Sequence, residues 1–176
     1  NEICPSGEAC IPSNGLCGTP PQGLPPPIRI GDLWRYFKGI HAPPSDWTSP
    51  FFNDSSWLLG NTGIGYGDND DATVLTDMQS NYLTVYLRRL LSLSDPSVVT
   101  GITLTVDYDD GIVVFLNGYE VARRNVGVYP ASFDTQAAVV DAASGGTVTP
   151  NPPEMFALSA FILLLRAGTN VVAIEG

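Results

Sequence analysis

The sequence predicts an all-β protein, an antiparallel β-sandwich preceded by an extended arm rich in cysteine and proline. Charged residues make up only 15% of the 176 positions, and 18 glycines and 15 prolines interrupt the chain. No segment has the apolar periodicity of a long amphipathic helix. Short strands joined by many turns fit this composition. The length predicts one main domain, which we place at residues 28–176, after an arm and linker at residues 1–27.

The arm differs in composition from the rest of the chain. It holds all three cysteines (Cys4, Cys10 and Cys17) and seven of the fifteen prolines, and it has no aromatic residue. This spacing is typical of a small disulfide module in an exported protein, because a zinc site would be expected to add histidine or a Cys-x2-Cys pair. Since three is an odd number, one cysteine is left free or pairs outside this segment. The following GTPPQGLPPP is typical of an extended linker.

The strands of the domain are predicted from β-branched and aromatic runs with a period of two. Asn117-Gly118 between two such runs is the strongest hairpin indication. The stretches at residues 43–81 and 127–153 are irregular and rich in turn residues. The predicted strands are residues 33–38, 83–93, 98–108, 112–116, 119–124, 155–158 and 170–175, and residues 161–165 form a strand or a helical turn.

The charge is strongly acidic, with 18 Asp and Glu against 8 Lys and Arg and a net charge of −10. Such a surface repels phosphate backbones and anionic lipids, so nucleic-acid binding and membrane association are not expected. The longest apolar run, residues 160–165, is too short to insert into a membrane. An acidic surface is compatible with binding divalent cations, with binding neutral glycans, or with a role in solubility alone, and the charge does not distinguish these possibilities.

The domain carries several motifs in a fixed order: Trp47, FNDSSW at 52–57, GIGYGD at 63–68, YLR at 86–88, DYDDG at 107–111, FLNGYEVAR at 115–123 and LRAGTNVVAIE at 165–175. Together these motifs resemble those of galactose-binding-like jelly-roll modules found in large secreted bacterial proteins. The resemblance extends over about residues 32–176 and implies a jelly-roll sandwich in a secreted, extracellular or cell-surface bacterial protein. It does not imply one function, because such modules bind glycans, act as spacers or take part in assembly.

Two loops carry clustered aspartates that are candidate calcium ligands. Asp68, Asp70 and Asp71 lie in one glycine-flanked loop, and Asp109 and Asp110 precede Gly111 in another. Calcium prefers clustered carboxylate and carbonyl oxygens. The alternative is turn chemistry, which uses the same residue types. No cofactor is required by the sequence, and calcium is the one ion it suggests.

Aromatic residues suggest glycans as a second kind of partner. Trp47, Trp57 and Tyr66 are candidate stacking residues for sugar rings, weighed against an ordinary role in the core. Asn53 begins a formal N-glycosylation sequon, and Thr147 and Thr149 stand among prolines that suit O-linked sugar.

Catalysis is not expected. The lone histidine, His41, lies in a proline-rich loop without a recognisable nucleophile motif, so no catalytic residue is assigned. Adjacent arginines (88–89 and 123–124) are expected to point to opposite faces of their strands and to form ion pairs.

Two functional hypotheses follow. The first is a non-catalytic structural subunit of a secreted or cell-surface fibre, in which residues 1–30 dock on a neighbouring copy. It rests on the composition of the arm, on the odd number of cysteines and on the end of the chain at Gly176. That end predicts an open sheet edge, which a segment of another chain could fill. The alternative is a carbohydrate-binding accessory module of a larger secreted protein.

Overall fold

A computed structural model describes residues 27–67, 71–138 and 153–176, together with the backbone of Ala9–Cys10 and Cys17–Gly18. Within these ranges the chain forms strands and two short 3₁₀ turns and contains no α-helix. The strands are β1 Ala9–Cys10, β2 Cys17–Gly18, β3 Leu33–Lys38, β4 Leu58–Asn61, β5 Ile64–Gly65, β6 Thr73–Val74, β7 Val85–Leu93, β8 Thr103–Val106, β9 Ile112–Leu116, β10 Tyr119–Arg124, β11 Glu154–Ala157 and β12 Gly168–Glu175; the 3₁₀ turns are Pro96–Val98 and Ser159–Leu164.

A six-stranded antiparallel sheet in the order β10-β9-β12-β7-β3-β4 forms the framework of the domain. Arg88 on β7 lies opposite Arg35 on β3 and Ala173 on β12, and Ala173 lies opposite Phe115 on β9. The last strand, β12, is therefore paired along both edges. The sheet edge that we expected near Gly176 is not open, since the backbone of Gly176 exchanges hydrogen bonds with Val85.

One face of this sheet packs against the two-stranded antiparallel sheet of β8 and β11 and against the second 3₁₀ turn. Alternating residues of the central strands point into this core because successive side chains of a strand face opposite sides. Sheet packed on sheet makes the all-β sandwich that the composition predicts. The buried residues of this core are Trp34, Ile112, Val114, Leu116, Val121, Phe156, Leu158 and Ile174.

The opposite face of the sheet is covered by the irregular segment at residues 41–57. Trp47 and Trp57 from this segment stack with ring centroids 6.2 Å apart. Tyr86 of β7 meets Trp47 edge to face at 5.0 Å. Val171 and Ala173 of β12 complete the cluster and are fully buried. Phe37 of β3 also packs on Trp57, which directly precedes β4, so the aromatic layer supports this edge of the sheet.

The predicted strands at 33–38, 112–116 and 119–124 match β3, β9 and β10. The strand predicted at 98–108 is shorter, because Asp95 caps a 3₁₀ turn at Pro96–Val98 and β8 begins only at Thr103. Of the two alternatives for residues 161–165, the structure has the helical turn, a 3₁₀ turn that ends at Leu164. The region 43–81 contains three short strands, β4 to β6, which the sequence did not predict.

The backbone of β1 pairs antiparallel with that of β2, with Cys10 opposite Cys17. The predicted disulfide module, including Cys4, lies otherwise outside the described residues and stays a prediction. The domain boundary at residue 28 also stays a prediction.

Candidate functional site

A shallow concavity of about 400 Å³ opens beside β3 and β4, the two strands at one edge of the main sheet. We call it the edge concavity. Its lining combines aliphatic, aromatic and polar side chains, and Ile40 and Leu58 are 55% and 48% exposed. The lining residues are Tyr36, Phe37, Lys38, Ile40, His41, Ser56, Trp57 and Leu58.

The turn that leaves β3 fixes one wall of the edge concavity. The Gly39 N–H donates to the Thr84 carbonyl at 2.8 Å, and the Ile40 N–H donates to the Lys38 carbonyl at 2.8 Å. A Cβ on Gly39 would lie only 2.5 Å from the Thr84 oxygen, so the turn needs glycine to approach β7 this closely. This contact sets where Ile40 and His41 stand.

The His41 ring is held on two sides. It meets the ring of Phe37 edge to face at 5.1 Å, and its Nδ1 lies 3.1 Å from the Ala42 carbonyl oxygen. Phe37 in turn packs on Trp57, with ring centroids 5.2 Å apart. A surface histidine is thereby attached to the buried aromatic layer.

A lysine and an acid form the polar rim. The Nζ of Lys38 donates to both carboxylate oxygens of Asp77, at 2.8 and 2.7 Å. These hydrogen bonds hold the pKa of Asp77 below its usual value. The hydroxyl of Tyr82 also donates to Asp77, at 3.1 Å, and burial raises the pKa of Tyr82. The rim is therefore a neutral ion pair rather than an uncompensated cation.

Beneath the edge concavity, a buried ion pair anchors the segment that covers the sheet. The Nε of Arg88, whose side chain is fully buried, lies 2.9 Å from Oδ2 of Asp54. Its Nη1 donates to the carbonyls of Trp47 and Ser49. The Arg35 guanidinium donates to the Trp57 carbonyl at 3.1 Å. One motif residue, Arg88, thus positions the loop that carries both tryptophans.

The paired arginines divide as expected. Arg88 is buried, whereas Arg89 on the other face is one-third exposed and pairs with Asp32 at 3.3 Å. Arg123 and Arg124 pair with Glu120 and Glu154, at 2.8 and 2.7 Å.

Two of the three aromatic residues predicted to stack on sugars, Trp47 and Trp57, stack on each other. Trp47 and Trp57 are 8% and 5% exposed and belong to the buried aromatic layer. This burial favours the core role that we weighed against stacking, although Trp57 also borders the edge concavity. The reason is the Arg88–Asp54 anchor, which folds their segment onto the sheet. Tyr66 is 41% exposed.

The predicted calcium residues fall in two separate parts of the sequence. Asp71 fits against two glycines, since a Cβ on Gly65 would lie 3.0 Å from both of its carboxylate oxygens and one on Gly63 would lie 3.0 Å from Oδ1. Asp110 adopts a left-handed backbone with φ of 62°, and Asn125 donates to its carbonyl at 2.8 Å. Asp109 and Asp110 thus occupy the turn that leads into β9.

Within the described ranges, no three Asp, Glu, His or Cys side chains come together as a metal site. Asp68 and Asp70 lie outside these ranges, so calcium binding at that loop stays a prediction. The structure does explain the spacing of Gly63 and Gly65, which admit the carboxylate of Asp71.

Asn53 of the sequon is exposed, and its Oδ1 accepts a hydrogen bond from the Ser55 N–H at 3.1 Å. Thr147 and Thr149 lie outside the described residues, and glycosylation stays a prediction. Among the residues described, no helix is long and apolar enough to span a membrane.

Ile40, Leu58 and Phe37 are lining residues that sequence reasoning did not select. Their positions at 37, 40 and 58 are brought together only by the pairing of β3 with β4, which sets Tyr36 opposite Leu58. No local motif marks them. The one feature of the sequence that could have indicated Leu58 is the pair of leucines at 58–59, directly after the FNDSSW motif.

No protein-family model matches the chain, and no curated protein does. Solved structures do match. A β-glucuronidase 2 from Bacteroides uniformis, covalently bound to cyclophellitol-6-carboxylate aziridine, shares 16% identity over 83% of this chain, with a TM-score of 0.52. Another structure of a Bacteroides uniformis β-glucuronidase shares 15% identity over 83% of this chain, with a TM-score of 0.51. The chain spans 14% of the length of each. At this identity the likeness shows the sandwich fold.

These comparisons correct the main functional hypothesis. The two solved structures described above are β-glucuronidases rather than fibre subunits. A fibre-like assembly joined through residues 1–30 is therefore the wrong interpretation of the chain. The comparisons support the alternative, a carbohydrate-binding accessory module of a larger secreted protein, better than the fibre subunit.

Proposed function

We propose that this chain is a non-catalytic, carbohydrate-binding accessory domain of a larger secreted bacterial protein. The observation that carries the proposal is the likeness of the sandwich to 14% of the chain of a β-glucuronidase 2, at a TM-score of 0.52. A module of this size within a much longer enzyme can bind or orient substrate while other parts of that chain perform the chemistry.

We infer further that the sandwich is of the galactose-binding-like jelly-roll type. Its support is that residues from separate motifs contact each other. Asp54 of FNDSSW pairs with Arg88 of YLR at 2.9 Å. Asn117 of FLNG donates to Asn170 of GTN at 2.7 Å. These motifs are distant in sequence, and together they hold the loops and strands of one sandwich.

The non-catalytic part of the proposal rests on the chemistry that glycoside cleavage requires. Most glycosidases place two carboxyl groups about 5–9.5 Å apart on opposite sides of the bond. The residues described as lining the edge concavity include a lysine and a histidine and no carboxylate. A site of this kind is suited to holding a sugar rather than hydrolysing one. Secretion is proposed because three cysteines in a short arm fit an oxidising environment.

The test combines binding and turnover with the purified chain. The chain is applied to an array of neutral and acidic glycans, and in parallel it is incubated with 4-nitrophenyl β-glucuronide. We expect retention on at least one neutral glycan and no release of nitrophenol. Failure to retain any glycan at millimolar concentration overturns the binding role. A hydrolytic activity that releases nitrophenol, co-purifies with the folded chain and disappears when the chain is unfolded overturns the non-catalytic role.

A further inference from the structure

We propose that the edge concavity binds one neutral pyranose ring, with the apolar face of the sugar against Ile40 and Leu58. The inference rests on the proposed function and names its site and ligand class. Neither tryptophan selected from the sequence is the platform. The contact surface is instead the seam where β3, its following turn and β4 meet.

The shape and apolar content of the edge concavity fit a small ligand. Its volume of about 400 Å³ lies within the range of about 300–1,000 Å³ usual for ligand sites. Ile40 and Leu58, which line it, expose about half of their surface. A pyranose presents a face of C–H groups that gains by leaving water on contact with such side chains.

Three polar groups on the lining can meet the hydroxyls at the edge of a sugar ring. The ammonium of Lys38 has three N–H donors, of which two bind the carboxylate of Asp77, so one remains for a sugar hydroxyl. The Nδ1 of His41 faces the Ala42 carbonyl, which leaves Nε2 as the ring nitrogen for a ligand. The Ser56 hydroxyl can donate and accept. Such a mixture of apolar surface and adaptable hydrogen bonding suits a sugar better than a purely apolar ligand.

The charge around the edge concavity favours a neutral sugar over a uronic acid. The one lysine of the chain is already neutralised by the Asp77 carboxylate at 2.7 Å. The chain as a whole carries a net charge of −10. An anionic sugar would be repelled by this field and would find no uncompensated cation among the lining residues described.

The walls of the edge concavity are formed before a ligand arrives. The Gly39 hydrogen bond to Thr84 fixes the turn that carries Ile40, and the edge-to-face contact with Phe37 orients His41. Leu58 is placed by its register opposite Tyr36. Binding therefore orders few groups, which lowers its entropic cost.

The experiment maps the site on the intact chain labelled with ¹⁵N. Methyl glycosides of glucose, galactose and mannose serve as neutral probes, and glucuronic acid serves as the anionic probe. We expect amide shifts confined to residues 36–41 and 56–58 with at least one neutral probe, and weaker shifts with glucuronic acid. Shifts centred elsewhere, for example around the exposed ring of Tyr129, overturn this site. A stronger response to glucuronic acid overturns its specificity for neutral sugars.

Variants separate the site from the proposed function. Leu58→Ser should weaken binding about tenfold because its apolar contact with the sugar is lost. His41→Ala should weaken it by a similar factor because the hydrogen bond of Nε2 to a sugar hydroxyl is lost. Leu163→Ser is the matched control, because Leu163 is 95% exposed and lies outside the edge concavity. If the wild type binds glycans and all three variants bind equally, the site is wrong and the proposed function stands. If the wild type binds no probe and no arrayed glycan, both are overturned.

Discussion

The side chains of Asn117 and Asn170 are joined by a hydrogen bond inside the sandwich, with Nδ2 of Asn117 donating to Oδ1 of Asn170 at 2.7 Å. Both residues are buried, at 5% and 0% exposure. Asn117 also accepts from the Val171 N–H at 2.9 Å. The pair therefore ties the β9–β10 hairpin turn to the start of β12, two elements more than fifty positions apart.

We expect Asn170→Ala to be strongly destabilising. Asn170 also donates to the carbonyls of Arg166 and Gly168, at 2.8 and 3.1 Å. Alanine therefore leaves several partners without their hydrogen bond. The free energy of unfolding should fall by about 3 kcal/mol, the upper end for unsatisfied buried groups. Chemical denaturation measures it. Asn61→Ala, which removes an exposed side-chain bond to the Gly31 carbonyl, is the control; an equal loss in both variants would contradict a special role for the buried pair.

Removing Asp54 should cost more than removing an acid from an exposed ion pair. Asp54→Ala leaves the fully buried Arg88 guanidinium without its carboxylate, a change that costs roughly 3–5 kcal/mol in buried pairs. Asp32→Ala breaks the ion pair with Arg89, in which both side chains are about one-third exposed, and should cost less than about 1 kcal/mol.

Urea denaturation of the two aspartate variants gives the comparison directly. Tryptophan fluorescence adds a second readout, because Arg88 also holds the carbonyl of Trp47. We expect a red-shifted emission in Asp54→Ala and not in Asp32→Ala. Unchanged stability and emission in Asp54→Ala would show that the segment at residues 41–57 is held by its aromatic packing alone.

The parts of the fold that local patterns encode were predictable, and those that depend on distant contacts were not. The Asn117-Gly118 turn was predictable because both residues adopt positive φ, at 52° and 92°, which this dipeptide favours. Strand β4 was missed because its four residues have no period-two pattern and depend on pairing with β3.

The same distinction holds for the candidate site. Residue type alone does not tell a buried tryptophan from an exposed one, and Trp57 is buried because Asp54 of its own segment binds Arg88. The edge concavity depends on the turn after β3 and on strand β4, which bring Ile40 and Leu58 to one lining, and no spacing in the sequence records that arrangement.

Gly39→Ala should distort the edge concavity. The added Cβ would lie 2.5 Å from the Thr84 carbonyl oxygen, a backbone atom that cannot rotate away. The expected loss is about 1–3 kcal/mol of stability, as for other overpacked positions, together with shifted amide signals for Ile40 and His41. Gly127→Ala is the matched control, since nothing lies within 4 Å of its Cβ. Wild-type stability and spectra in Gly39→Ala would contradict the close approach of this turn to β7.

The buried carboxyl of Glu175 should make stability depend on pH. Burial raises the pKa of Glu175 above its usual value of 4.5, and the nearby charge of Glu120 raises it further. The hydrogen bond from the Tyr86 hydroxyl at 3.5 Å and the charge of Arg123 lower this pKa, but the net shift is upward. The folded chain therefore holds this proton more tightly than the unfolded chain. The resulting stability is complete below the unfolded pKa and is lost as the pH rises through the folded pKa.

Replacing this carboxyl with an amide should remove that loss. We expect Glu175→Gln to gain stability relative to wild type as the pH rises from 4 to 8, measured by denaturation at each pH. Glu154→Gln is a control of opposite sign, because the hydrogen bond from the Tyr108 hydroxyl at 2.7 Å lowers the pKa of Glu154. That variant should lose stability relative to wild type at neutral pH and regain it at acid pH. Parallel pH profiles for the two glutamine variants would contradict the opposite environments of these two carboxyls.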